Sequence, residues 1–115
     1  MACTVQFKAE SLDLNFFIER LMLNTGIKID VKQFTEKGEY CYSLNPIGKF
    51  TFGLDSVLIK SRNSEYKLIS TREGYLFNEA INIINELLSL KIPLPKGYKS
   101  TKYKELSFFD KIKFR

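Results

Sequence analysis

Residues 56–70 read SVLIKSRNSEYKLIS, two short apolar stretches on either side of a polar turn. A turn at residues 63–64 pairs Arg62 with Glu65 and brings the two stretches together as an antiparallel hairpin. Short strands of this kind recur before the hairpin and are separated by glycine-containing turns. The pattern therefore predicts an antiparallel meander, of which residues 56–70 form the last hairpin.

The remaining elements follow outward from this hairpin. Apolar residues at helical spacing predict a first helix capped by Ser11 and stopped at Gly26, and a second helix over residues 75–91 capped by Ser70 or Thr71. Prolines after residue 91 end the second helix, because proline lacks the amide hydrogen that a helix needs. Further strands are predicted at residues 4–8, 27–32, 40–44 and 49–52.

These elements define an α+β fold in the order β-α-β-β-β-β-β-α, followed by a basic C-terminal tail. We expect one antiparallel sheet of about five or six strands, with both helices on one face. We assign residues 1–95 to a compact domain and residues 96–115 to a basic, aromatic extension that docks in part. Phe50 and Phe52 are expected in the core, whereas three tyrosines keep polar tips and suit the open face of the sheet. They are Tyr40, Tyr42 and Tyr66.

Composition limits the function classes that remain. The 115 residues include no histidine, which removes the commonest general base and the commonest metal ligand. Cys3 and Cys41 are expected to be free thiols in a reducing compartment, so we expect a cytoplasmic protein. No apolar run is long enough to span a bilayer, and the first residues do not form a signal peptide. Neither a cofactor nor a metal is expected.

One set of residues resembles a catalytic motif. Asp55 followed by Glu65 and Lys67 on a neighbouring strand resembles the metal-binding core of restriction-type nucleases, in which two carboxylates hold Mg²⁺. The hairpin register contradicts this assignment. Pairing Arg62 with Glu65 leaves Asp55 on the order of 20 Å from Glu65, too far for one shared metal ion. We therefore predict a non-enzymatic protein, with Asp55 as a turn residue.

The net charge is concentrated at the C-terminus. Residues 91–115 hold eight Lys or Arg against two acids, a net of +6, whereas residues 1–90 hold ten against eleven, a net of −1. A basic segment with interspersed aromatics is typical of a surface for an anionic partner, such as nucleic acid or a nucleoprotein complex. The predicted nucleic-acid contacts are Lys96, Tyr98, Lys99, Lys102, Tyr103, Lys104, Lys111, Lys113 and Arg115.

A second interpretation remains open. Residues 106–114 contain large apolar side chains that favour docking, either on the domain or on a partner. In that case the chain is a small protein–protein inhibitor or adaptor for a protein with an acidic surface. Phe108, Phe109 and Phe114 would anchor it in the partner while lysines steer association. A small, Lys-, Ile- and Asn-rich chain of this kind fits a regulator carried by a mobile element.

Overall fold

The computed structural model describes residues 3–48, 53–72, 74–100 and 102. These residues contain five strands and two helices, which follow the predicted order apart from the predicted strand over residues 49–52, which lies outside them. The elements are β1 (Cys3–Lys8), α1 (Leu14–Thr25), β2 (Lys28–Glu36), β3 (Glu39–Ile47), β4 (Val57–Arg62), β5 (Glu65–Ser70) and α2 (Tyr75–Leu88). The five strands form one antiparallel sheet in the spatial order β1-β5-β4-β3-β2. The predicted α+β fold is confirmed.

The central hairpin has the predicted register. Arg62 pairs with Glu65, and the ladder continues to Val57 opposite Ser70. Asn63 and Ser64 both have positive φ angles, 48° and 66°, which gives the two-residue turn whose twist suits antiparallel strands. The same register leaves Asp55 beyond one end of the hairpin and Glu65 at the other, so the two carboxylates do not form a shared site.

Both helices pack on one face of the sheet. Helix α1 lies towards β2 and α2 towards β5, and the helices also contact each other. The core between the layers is continuous and contains Phe17 and Leu21 of α1, Ile83 and Ile84 of α2, and Leu68 of β5. The other sheet face, which we call the outer sheet face, carries no helix or strand from the residues that the structure describes. Alternation along β4 and β5 places their buried residues on the inner face, and charged residues together with Leu58 and Ile69 on the outer face.

The tyrosine prediction is wrong. Tyr66 pairs with Ser61, which pairs with Tyr40, so Tyr40 and Tyr66 share a sheet face. Phe7 lies opposite Tyr66 on the same face, and its ring stacks on Tyr66 at 5.3 Å between centroids. Tyr42 lies opposite the core residue Ile59, so it also faces the helices. Tyr40 is 58% exposed, although it lies on the helix-bearing face.

Several element ends differ from the prediction. Strands β2 and β3 continue to a turn at Lys37 and Gly38, where positive φ angles of 51° and 79° allow the chain to reverse in two residues. Pro46 lies within β3, opposite Ile29. This is tolerated because the pairing of β3 with β4 stops at Leu44, so Pro46 has a strand on one side only in the described sheet.

Helix α1 has a side-chain cap at its N-terminus and a glycine at its C-terminus. Asp13, rather than Ser11, is the N-cap, and its Oδ1 accepts a hydrogen bond from the Phe16 amide at 3.1 Å. Gly26 ends the helix in the left-handed conformation, as predicted. Phe16 and Leu23 are 48% and 69% exposed, so α1 also presents apolar side chains to solvent.

The predictions for the cysteines, for residues 49–52 and for membrane spans have different outcomes. Cys3 and Cys41 are free, as predicted, and the strands that carry them are separated by β4 and β5. Phe50, Phe52 and the predicted strand over residues 49–52 lie outside the described residues. Among the helices of the described chain, neither is long and apolar enough to cross a bilayer.

Candidate nucleic-acid interface

After α2 the chain reverses and lies along the outside of that helix as a strap, residues 90–100. The Asn85 amide holds its start with two hydrogen bonds: Nδ2 donates to the Ile92 carbonyl at 3.0 Å, and Oδ1 accepts from the Ile92 amide at 2.9 Å. These two hydrogen bonds have the same pattern as those between neighbouring β-strands. They satisfy both the amide and the carbonyl of Ile92, which lies outside the described sheet. Leu90, Ile92 and Leu94 pack against the core.

The other end of the strap is held by a buried carboxylate. Glu79 of α2 is fully buried, and its Oε1 accepts a hydrogen bond from the Ser100 hydroxyl at 2.8 Å. The Tyr98 hydroxyl donates to the other oxygen, Oε2. A buried carboxylate is costly unless hydrogen bonds replace its hydration, and these two hydroxyls supply them. The strap therefore buries a polar position of α2.

A turn places Tyr98 where it can reach Glu79. The Tyr98 amide donates to the Pro95 carbonyl at 3.0 Å, and Gly97 at the third position has a φ of 80°. Glycine at the third position permits this turn, because that position needs a positive φ that glycine adopts without strain. The predicted domain boundary at residue 95 thus falls inside the strap, and residues 98–100 are attached to α2.

The environment of Glu79 changes the acidity of two tyrosines. Burial raises the pKa of Tyr98, and the hydrogen bond to Glu79 and its negative charge raise it further. Burial, followed by the charge of Glu79, likewise raises the pKa of Tyr75. Both hydroxyls therefore keep their protons well above neutral pH, and Tyr98 remains a hydrogen-bond donor to the carboxylate.

This arrangement predicts alkaline sensitivity. The folded-state pKa of Tyr98 lies above its ordinary value of 10.0, so the associated stability is complete below pH 10 and is lost as the pH rises towards the folded-state pKa. Tyr98→Phe should lower the free energy of unfolding at pH 8 by about 1–2 kcal/mol, since one hydrogen bond to a carboxylate is lost. It should also reduce the loss of stability between pH 8 and pH 11.

Urea unfolding of wild type and Tyr98→Phe at both pH values tests this prediction. Tyr40→Phe is the matched control, because it removes a tyrosine hydroxyl from an exposed side chain. Equal losses of stability in wild type and Tyr98→Phe between pH 8 and pH 11 would contradict the assignment.

Asp55 has a structural role that differs from the predicted turn position. It is only 3% exposed, its Oδ1 accepts from the Leu76 amide at 3.0 Å, and its Oδ2 accepts from the Phe77 amide at 2.8 Å. Helix α2 starts at Gly74, which has no side chain for capping, instead of at Ser70 or Thr71. Asp55 therefore supplies the cap from a distant part of the chain, with a negative charge at the positive end of the helix.

The predicted nucleic-acid contacts fall into two groups. Lys96, Lys99 and Lys102 are exposed, as expected, and Tyr98 is half-buried with its hydroxyl on Glu79. The role of Tyr98 in base stacking stays a prediction, since its described hydrogen bond serves to anchor the strap. The others lie outside the described residues: Tyr103, Lys104, Lys111, Lys113 and Arg115, together with Phe108, Phe109 and Phe114 of the alternative interface.

Sequence reasoning missed the residues that position the strap. Glu79 and Asn85 sit at polar positions of an amphipathic helix, and nothing in the local pattern distinguishes them from solvated neighbours. The available signal was indirect: an apolar Leu90, Ile92 and Leu94 alternation after the helix implies that this segment packs back on the domain. In the described part of the chain, no group of three or more His, Cys, Asp or Glu side chains is arranged to hold a metal ion.

Comparisons with protein-family models, with curated proteins and with solved structures yield no match.

Proposed function

We propose that this protein is a non-catalytic binding protein that engages nucleic acid, alone or in a nucleoprotein complex, through its basic C-terminal surface. The observation that carries the proposal is the strap, which holds Lys96 and Lys99 in solvent while Tyr98 and Ser100 fix it to α2. Lys102 follows directly and is also exposed. An attached segment presents its charges with less loss of conformational entropy than a free tail does.

The charge balance of this surface favours an anionic ligand. Residues 87–104 contain five lysines and no acid. Within the residues that the structure describes, Lys91, Lys96, Lys99 and Lys102 form no ion pair. Glu79, an acid of α2 that contacts the strap, is buried and bonded to two hydroxyls, and it forms no ion pair with a lysine of the described residues. A polyanion is the ligand that engages several such lysines together, with release of its counterions.

The test is binding of a labelled single-stranded or double-stranded oligonucleotide at 50–200 mM salt. Lys96→Gln/Lys99→Gln/Lys102→Gln should weaken binding at low salt by at least tenfold. It should also reduce the slope of log affinity against log salt by roughly 2–3, since up to three phosphate contacts are lost. The matched control replaces three lysines of the β2 region, Lys28, Lys32 and Lys37, which should change the slope much less.

Truncation needs a different end point from the domain boundary predicted from sequence. Cutting after Pro95 would remove Tyr98 and Ser100 and leave Glu79 buried without its donors. A chain that ends at Lys102 keeps the anchor and removes the remaining extension, so it separates lost charge from lost folding. Absence of binding to any oligonucleotide by the full chain, or binding that salt does not weaken, would contradict the proposal. Loss of a protein partner in Phe108→Ala or Phe109→Ala, with the fold intact, would favour the inhibitor or adaptor instead.

A further inference from the structure

The outer sheet face carries a second basic surface, away from the strap. Lys8 of β1, Lys67 of β5, and Lys60 and Arg62 of β4 project from it, because they alternate with inward-facing core residues along their strands. We call these four side chains the basic sheet patch. Glu65 is the one acid among the outward-facing residues of these three strands within the described sheet.

Two lysines of this patch face each other directly. Lys60 of β4 is the register partner of Lys67 of β5, and Gln6 and Cys41 continue the row on either side. Directly opposed residues of an antiparallel pair have Cβ atoms about 4.5–5.5 Å apart, and like charges in such a pair are destabilising. Both lysines are half-buried, so their stems lie on the sheet and limit how far the two charges can separate.

The acid in the neighbouring row does not neutralise these lysines. Glu65 lies between Lys8 and Arg62, and it forms an ion pair with Lys8 at 3.9 Å, with both side chains well exposed. Exposed pairs at such a distance contribute little to stability. Lys60, Arg62 and Lys67 form no ion pair with any residue that the structure describes.

We infer that the basic sheet patch is a phosphate-binding surface for nucleic acid, a conclusion that rests on the proposed function and adds a site to it. Folding does not account for Lys60 opposite Lys67, whereas an anion lying between them would relieve their repulsion. The outward positions next to them are Gln6, Cys41, Leu58, Arg62, Glu65 and Ile69, none of which is aromatic. The outward-facing Phe34 lies two strands away from Lys60, beyond Cys41. The patch therefore contacts the sugar–phosphate backbone rather than stacking on bases.

The strap and the patch act as separate surfaces. The strap packs on α2, and its Pro93, Leu94 and Pro95 line a cavity with Cys3 and Val5 of β1, whereas the patch lies on outward-facing positions of the sheet. No residue is common to the two surfaces, so substitutions at the two should have additive effects on the logarithm of the affinity. A ligand that contacts both has to pass around the β1 edge of the described sheet or bind two molecules of the protein.

The experiment measures stability and binding in the same variants. Lys60→Gln/Lys67→Gln should raise the melting temperature by about 1–4 °C, because the like-charge contact is removed. The same double variant should weaken oligonucleotide binding about tenfold at low salt and reduce the salt slope by roughly 1.5–2. Lys60→Glu, which places opposite charges in register, should raise the melting temperature and weaken binding more strongly. Lys28→Gln/Lys32→Gln on β2 is the control with equal charge loss.

The outcomes distinguish this inference from the proposed function. If the full chain binds the oligonucleotide and the strap variant loses binding while Lys60→Gln/Lys67→Gln keeps wild-type affinity, the patch is not a binding surface. If the full chain does not bind, the proposed function fails together with the patch. A lowered melting temperature in both Lys60→Gln/Lys67→Gln and Lys60→Glu would show that the lysine pair serves the fold, and this would also overturn the inference.

Discussion

Asp55→Ala is expected to lower the free energy of unfolding by about 3 kcal/mol, a large fraction of the stability of a small domain. The substitution removes both acceptors from the Leu76 and Phe77 amides, which are buried and cannot turn to water. It also removes the negative charge at the start of α2. Chemical denaturation followed by circular dichroism measures the effect.

Asp13→Ala is the matched control for this change. Asp13 also caps a helix, but it is exposed and accepts one hydrogen bond, at 3.1 Å from the Phe16 amide. Its loss should cost about 1 kcal/mol, as for an ordinary N-cap. A loss of stability in Asp55→Ala no greater than in Asp13→Ala would contradict the assigned role of Asp55.

Gly74→Ala is expected to destabilise the domain by about 2–3 kcal/mol through steric overlap. A Cβ at this position would lie 2.4 Å from Asp55 Cγ and 2.8 Å from Asp55 Cβ, atoms that cannot move away without displacing the capping carboxylate. The backbone at Gly74 has a φ of −130°, which alanine adopts freely, so the effect comes from space alone.

A double-mutant cycle separates this clash from a general effect of alanine at the helix start. In the Asp55→Ala background the colliding atoms beyond Cβ are absent, so Gly74→Ala should cost much less than in wild type. Additive losses in the double variant would show that Gly74 and Asp55 do not act on each other.

Local patterns were sufficient for most of the fold. The turn at residues 63–64 determined the β4–β5 register, and with it the opposition of Lys60 and Lys67. The same reasoning applies to the tyrosines. Tyr40 and Tyr42 lie four and two positions before Leu44 on one strand, so their side chains share a sheet face with this fully buried core residue. The two-residue alternation of a strand decides which face a tyrosine occupies, and its hydroxyl does not.

The contacts that position the candidate site were beyond sequence reasoning for a different reason. Asp55 caps a helix that starts 20 residues later, and Glu79 is buried by hydroxyls that follow it by 19 and 21 residues. Such contacts depend on how the layers meet, and no spacing rule along the chain connects their partners. The exposure of Lys96, Lys99 and Lys102 was predictable from charge, whereas the attachment of the strap that carries two of them was not.

The strap also has a consequence for how a buried charge leaves water. Every strand and helix that the structure describes precedes residue 89, whereas both hydroxyls bonded to Glu79 follow that residue. The carboxylate is therefore sealed from solvent only when the strap closes over α2, and opening of the strap would return it to water. Presentation of the lysines and burial of one acid are two results of the same closure.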